Sequence, residues 1–275
     1  VLLYSAGHLG SAIVLNRLYH LPEIEIVGVV RAEPAALSRQ GLQKAFRRAS
    51  RIGWRFAGLL AWQRLVQFVM FYVVGPLIAR RRLMAAWQLA DRHGIPSHET
   101  SNINGEAART FLSALQPDIL ISAYFAQIIK APVLGIPWMG ALNVHPGWLP
   151  DYKGAMNYFW VVKNGEDRAG VSVHWMDEGI DTGAVLARRS FVLEPDATQQ
   201  QVLAITALIG ARLLERVIRQ LHRGENPQPL PAAAQAGRYF PMPGAEDFDD
   251  YFKRRRFFRI RDIFRLATRR ARTRA

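Results

Sequence analysis

The feature that most limits what this chain can fold into is an alternation of apolar strand-like runs with helical periods, broken once and then resumed. Residues 1–20, "VLLYSAGHLGSAIVLNRLYH", read as an apolar strand, a glycine-containing turn and a helix, and the β-rich "EIEIVGVV" follows. That is a βαβ opening. Gly7-x-x-Gly10 in its turn is a degenerate form of the nucleotide fingerprint and alone says little about a dinucleotide. Further on, "GIPSHETSNINGEAARTFLSAL" predicts a turn and a helix from about Gly105, "PDILISAYF" a buried strand, and "GALNV" the next one. "AGVSVHWM" alternates as a strand does. Thr198 and Gln201 have capping-box spacing for a helix that runs to Arg223 and stops at Gly224. No internal repeat is present. The sum predicts an α/β fold, a doubly wound Rossmann-like domain with a mostly parallel sheet and a site on loops at strand C-termini.

At 275 residues the chain holds one large domain, or one with appendages, without needing covalent staples. It contains no cysteine, which excludes a disulfide framework, a thiolate nucleophile and a cysteine zinc site. A reducing compartment fits that composition. The opening residues carry no basic n-region or A-x-A site, so export is not expected.

The net charge of +14 is concentrated in two places. Residues 34–90 carry ten Arg or Lys and no acid, and residues 253–275 carry eleven against Asp262 alone. The remainder holds 15 bases and 21 acids, so it is mildly acidic. Such segregation points to an anionic surface, either lipid headgroups or nucleic acid.

The first basic segment is also apolar. From Phe56 to Ala79 the only charge is Arg64, yet the longest uncharged piece, Leu65 to Ala79, is 15 residues and contains Gly75-Pro76. A single bilayer crossing needs about 20 apolar residues, and it would separate two halves that must build one domain. The pattern fits an interfacial helix pair or re-entrant hairpin, with Trp54, Trp62, Phe68, Phe71 and Tyr72 at headgroup depth. A buried helical pair or an oligomer contact is the competing reading. The tail, with Phe257, Phe258, Ile260, Ile263, Phe264 and Leu266 among its bases, reads as an amphipathic basic segment or a solvated tail. A cut at Asp250 is expected to spare catalysis. The expected location is cytoplasmic, attached peripherally or monotopically to the inner face of the membrane.

Chemistry enters at "ALNVHPGWLPDYKGA". Asn143 and His145, two apart on a strand, share a face and can approach one ligand together, while Pro146 and Gly147 end the strand. A strand end with a histidine satisfied in a polar rim reads equally well from these residues alone.

"NINGE", "PDILISAYFAQII", "NVHPGWLPDYKGA" and "AGVSVHWMDEGIDTGAVL" follow one another in an order that resembles the catalytic domain of the 10-formyltetrahydrofolate-dependent formyltransferases. That family holds methionyl-tRNA formyltransferase, glycinamide ribonucleotide transformylase and the sugar N-formyltransferases. The resemblance covers roughly residues 1–35 and 90–225 and has no counterpart for residues 40–90. It implies a catalytic domain over 1–225 interrupted by the 40–90 insertion, then an extension over 226–275. By position it implies Asn143, His145 and Asp181 as the catalytic three. Asn143 and a protonated His145 would donate to a developing oxyanion, and Asp181 would orient the imidazole, favour its charge and assist proton transfer. No metal is implied. The loop Ala126, Gln127, Ile128, Ile129, with Gly147, Trp148, Leu149 and Pro150 and with Asp177, Gly179 and Ile180, would line the pterin pocket of 10-formyltetrahydrofolate, mostly through backbone groups. Trp148 departs from a small or aliphatic residue there, and would tighten the folate mouth or face the membrane. His174 reads as a structural strand residue.

The resemblance leaves the acceptor open. "KGAMNYFWVVKNG" is more like the sugar N-formyltransferases, and "GRYFPMPGAEDF" faintly resembles the segment that follows the core in several members. The leading expectation is a primary amine on an amino sugar or a lipid-linked amine at the membrane surface. The alternatives are a methionyl-tRNA formyltransferase-like enzyme using its basic segments on nucleic acid, and a non-catalytic membrane or nucleic-acid binding module.

Overall fold

Short, largely apolar runs become the centre of a parallel sheet, because only strands covered on both faces avoid exposing such side chains. They are β1 (Leu2–Ser5), β2 (Val29–Ala32), β4 (Leu120–Ala123) and β5 (Ala141–His145). With β3 (Ser97–Thr100), β7 (Arg168–Trp175) and β8 (Val185–Val192) they form a seven-stranded sheet in the order β3-β2-β1-β4-β5-β7-β8. The first five run parallel, β7 runs antiparallel to β5, and β8 antiparallel to β7. This computed structural model describes residues 1–5, 8–32, 46, 49–50, 52–69, 84–231, 237–254 and 258–262. The predicted doubly wound, mostly parallel α/β fold is the one found.

One face of the sheet carries α1 (Leu9–Leu18), α3 (Ala86–Arg92), α6 (Asn157–Lys163) and α7 (Gln199–His222) over the larger core. The other carries α4 (Glu106–Ala114) and the single turn α5 (Ala131–Leu134). The capping box predicted for the long helix is present, Thr198 accepting from the Gln201 N–H while the Gln201 side chain accepts from that of Thr198. Gly210 sets how closely α7 approaches the sheet: a Cβ there would lie 2.5 Å from Val144 Cγ1 and 3.0 Å from Val171 Cγ2. Val144 and Val171 face α7, so Asn143, His145, Ser172 and His174, out of phase with them, face the other way.

Three elements differ from the sequence expectation. Residues 97–100, read as part of a turn, form the edge strand β3; its residues are polar and largely exposed, so no apolar alternation marks it. Only the end of "EIEIVGVV" enters the sheet. Nor is the extension a mere appendage. Its β9 (Tyr239–Phe240) pairs with β6 (Lys153–Gly154), and α8 (Ala245–Arg254) buries Phe248 and Tyr251 in the main core. Tyr251 Oη accepts from the Gln199 N–H at 3.2 Å, so a cut at Asp250 would open the core.

Of the 40–90 insertion the structure describes residues 46, 49–50, 52–69 with α2 (Trp54–Phe68), and 84–90, which include the start of α3 and so belong to the core rather than to an insertion. Phe56 of α2 stacks on Phe248 of α8, so insertion and extension meet. Among the described residues no helix is long and apolar enough to cross a membrane. Gly75-Pro76, Phe71, Tyr72 and the tail beyond Asp262 lie outside the described residues.

Candidate active site

Asn143 and His145 stand on one face of β5, and register brings β7 beside them: Asn143 pairs with His174 and His145 with Ser172. Because β7 is antiparallel, its loop to β8 begins at the opposite end of β5 and folds back over the strand's face. That loop delivers Asp181; it leaves the C-terminus of β7 as expected, but starts at the end of the sheet where the parallel strand β5 begins. Asp181 Oδ1 lies 3.3 Å from His145 Nδ1, 3.5 Å from Asn143 Nδ2 and 3.6 Å from His174 Nε2. Its Oδ2 accepts the Gly154 N–H at 2.8 Å.

Each neighbour acts on charge in a definite direction. Burial, the largest influence on Asp181, would raise its pKa, but the His145 charge, the His145 hydrogen bond and the Gly154 N–H together hold it far below the ordinary carboxylate value. Burial likewise pushes the His145 imidazole toward neutrality. The Asp181 charge, its hydrogen bond and the Tyr152 carbonyl outweigh that, and the His145 pKa ends above its ordinary value. Geometry agrees, because both ring nitrogens face acceptors: Nδ1 faces Asp181, and Nε2 donates to the Tyr152 carbonyl at 2.7 Å. A doubly protonated ring satisfies both acceptors, against the opposing contact of the Asn157 amide nitrogen 3.0 Å from Nε2.

The backbone around this cluster is strained. Tyr152, Met156 and Asp181 have left-handed φ of 58°, 52° and 54°, and Tyr124 at the end of β4 has 56°. Such conformations cost of order 1–3 kcal/mol each and concentrate at functional sites. Gly147 is needed for close approach: a Cβ on it would lie 2.5 Å from the Tyr152 carbonyl oxygen and 2.6 Å from His145 Nε2.

His174, read as structural, is drawn into the site. It is 2% exposed, its Nδ1–H donates to the Trp175 carbonyl at 2.7 Å, and its Nε2 accepts from Asn143 Nδ2 at 3.1 Å. One hydrogen of the Asn143 amide is thereby fixed and the amide plane with it. The sequence signal existed, since Gly170, Ser172 and His174 alternate on one face, but it needed the antiparallel partner to be read. Asn157 is fully buried beside His145, its amide nitrogen 3.0 Å from Nε2, and its Oδ1 has no hydrogen-bond partner among the described residues.

The residues expected around the pterin divide into scaffold and surface. Gln127 accepts from the Ile103 N–H at 2.6 Å and donates to the Thr100 carbonyl at 3.0 Å, and Ile129 is buried, so these two fasten the loop. Ala126 and Ile128 are exposed. Leu149 is buried, and Ser172 Oγ ties its loop to β7, accepting from the Leu149 N–H and donating to the Gly147 carbonyl. Pro150 is half-buried. Trp148 packs over Gly170 with the Arg188 guanidinium 4.4 Å from its ring. Asp177 closes its own loop, accepting from the Gly179 N–H and the Thr182 hydroxyl, while Ile180 is exposed. At the start of α1, His8 Nδ1 accepts the Gly10 N–H, and a Cβ on Gly10 would strike the Tyr124 ring, so Gly10 serves packing.

Asn143 and His145 as buried hydrogen-bond donors over the Asp181 carboxylate, with the imidazole pKa raised, on the face of a doubly wound sheet form a group-transfer type of site. The chain belongs to the formyl transferase family, whose model matches residues 81–218. It is 35% identical over 161 residues to a methionyl-tRNA formyltransferase of Synechococcus sp. (strain JA-3-3Ab), covering 58% of this chain and 50% of that protein. The corresponding enzyme of Aromatoleum aromaticum is 34% identical over 154 residues, covering 55% and 49%. The chain thus spans about half the length of these relatives. Its fold is that of an N-formyltransferase from Helicobacter canadensis, solved with folinic acid and dTDP-3-aminofucose (TM-score 0.56, 16% identity, 87% of this chain and 70% of that one). It is likewise that of glycinamide ribonucleotide transformylase 1 from Symbiobacterium toebii (TM-score 0.54, 17% identity, 84% and 92%).

Proposed function

We propose that this protein transfers a formyl group from 10-formyltetrahydrofolate to a primary amine. The observation that carries the reading is the buried His145 with both nitrogens on acceptors and Asp181 beneath it, set next to an oriented Asn143 amide. The residues present suit the donor: Ile128 and Ile180 expose aliphatic side chains on two loops fixed from below by Gln127 and Asp177. Those side chains would hold the faces of a flat ring, and loop backbone groups its edge. When bound, the folate supplies the activated formyl carbon. Asn143 would exchange its long hydrogen bond to Asp181, 3.5 Å, for one to the formyl oxygen as that oxygen gains charge, the kind of donor whose loss costs about 100- to 1000-fold in rate. To reach a reacting atom, His145 must exchange one of its two hydrogen bonds. The Tyr152 carbonyl is uncharged and releases it more readily than Asp181 does. Asp181 would keep the ring oriented and favour its protonated form, and His145 would relay the proton that the amine loses, as its nitrogen bonds to the formyl carbon, to the folate nitrogen from which that carbon parts.

For the acceptor, sequence likeness to methionyl-tRNA formyltransferases supports a charged tRNA. A second reading, an amino sugar or lipid-linked amine at the cytoplasmic membrane surface, is supported by the outward-facing aromatic side of α2. The test is formylation by the full chain, with 10-formyltetrahydrofolate, of methionyl-tRNA, amino-sugar nucleotides and aminolipids side by side. Formylation of any one that collapses in Asn143→Ala supports the chemistry, and the acceptor used decides between the readings. No formylation of any of them, with the folate verified intact, would sink the proposal.

A further inference from the structure

The α2 helix is apolar on both sides. Its buried residues are Phe56, Gln63 and Val66, whereas Trp54, Trp62, Leu65 and Phe68 are each more than half exposed. The inner side is fastened by hydrogen bonds, Gln63 Nε2 donating to Gln200 Oε1 of α7 and Gln67 Nε2 to the same oxygen at 3.3 Å. Trp54, Trp62, Leu65 and Val69 recur at helical spacing and form one stripe on the open side. A helix on a water-exposed body turns polar residues outward along such a stripe, so this face is built for a partner that takes up aromatic and aliphatic groups.

Charge selects the partner. Arg55 and Arg64 are exposed on α2 itself, and the sequence places ten bases and no acid within residues 34–90. A second copy would bring the same excess of bases over acids against itself. The fold joins α2 to α8, Phe56 stacking on Phe248 and a Cβ on Gly53 meeting Ala245 at 3.3 Å, and in the sequence α8 leads into residues 253–275 with their eleven bases. A surface that accepts tryptophan and leucine side chains and attracts arginine is an anionic lipid headgroup layer. We propose that α2 docks this protein on anionic membranes by inserting Trp54, Trp62, Leu65 and Phe68 at headgroup depth without crossing the bilayer. The proposal stands apart from the formyl-transfer reading, because either can fail alone.

The experiment is co-sedimentation of the full chain with vesicles of phosphatidylcholine alone and of phosphatidylcholine with phosphatidylglycerol. A variant carrying Trp62→Ser, Leu65→Gln and Phe68→Ser is run beside it. All three positions are exposed, so circular dichroism and melting should match wild type. The wild type should bind the anionic vesicles well above the neutral ones, and the variant more than about tenfold more weakly. Lipids brominated near the headgroup should quench wild-type tryptophan fluorescence, less so in Trp54→Phe/Trp62→Phe. Failure of the wild type to bind anionic vesicles, or equal binding by the variant, overturns the proposal. So does a concentration-dependent dimer abolished by the same substitutions, or tRNA binding that falls with them while vesicle binding does not.

Discussion

At the scale of single residues the site turns on Asp181, whose two oxygens address His145, His174, Asn143 and Gly154 together. The pH consequences follow in sign. The folded His145 pKa is raised, so its contribution to stability is full below the unfolded value near 6.5 and is lost as pH rises through the folded value. Asp181 is depressed, so its contribution is full above about 3.9 and is lost as pH falls toward its folded value. If the charged imidazole serves catalysis, kcat should fall on the alkaline side with an apparent pKa above about 6.5. In Asp181→Asn burial is left to dominate, and that limb should move below about 6.5. A limb that stays in place in kcat profiles from about pH 5 to 9 would separate the ion pair from the chemistry. His174 gives a second prediction. By fixing the Asn143 amide it should act only through Asn143, so His174→Leu lowers kcat by about ten- to a hundredfold with little change in KM for folate. Adding it to Asn143→Ala should cost nothing further. Additive losses in the double-mutant cycle would make His174 independent of that amide. Asn143, His145 and Asp181 could be found from sequence because short motifs carried them. His174 could not, because its relevance depends on which strand lies beside β5, a pairing that no local pattern encodes.

Among the elements, those with a strong internal signal were legible. The α7 helix announced itself by a capping box, an amphipathic period and a stop at Gly224, and β4 and β5 by apolar runs bounded by turn residues. The edge strand β3 and the outer strand β8 were not read, since their residues are mostly half-buried or exposed and their place is set by the strand next to them. Gly210 tests how the helix positions the site. Alanine in a helix interior is favoured over glycine by up to about 1 kcal/mol, which argues for stabilisation. The Cβ contacts with Val144 and Val171 oppose it, and both partners are branched, fully buried strand residues with nowhere to go. Overpacking of this kind costs about 1–3 kcal/mol, so it wins. Gly210→Ala should lower Tm by a few degrees, roughly 2–4 °C per kcal/mol in a chain of this size, and reduce kcat through displacement of β5. A raised Tm would show that α7 can lift off without disturbing the sheet.

For the whole molecule, what sequence reading kept apart the fold joins. Composition separates a basic apolar insertion, a mildly acidic body and a basic extension. Packing ties insertion to extension through Phe56 and Phe248, and ties the extension to the loop after β5 through β6 and β9. In that loop Phe240 stacks on Tyr152 at 4.5 Å, Arg238 joins Asp151 at 2.6 Å, and the Tyr152 carbonyl is the group that holds His145. Two truncations therefore should behave oppositely. Ending the chain after Met242 removes α8, and with it Phe248 and Tyr251, each 1% exposed within the core that also holds Leu142 and Val144 of β5. Loss of one such aromatic costs about 3–5 kcal/mol, and two approach the entire stability of a typical domain, so this form should melt far below the full chain or fail to fold. Ending after Asp262 instead keeps every described contact and removes five arginines, Arg265, Arg269, Arg270, Arg272 and Arg274. That form should melt and formylate as the full chain does, while binding anionic vesicles more weakly by about 1 kcal/mol for each arginine that reaches the surface. Thermal melts, turnover and vesicle co-sedimentation on the three lengths distinguish the roles. A stable, active protein ending at Met242 would show that α8 is not the brace described, and an inactive one ending at Asp262 would place the last residues in catalysis.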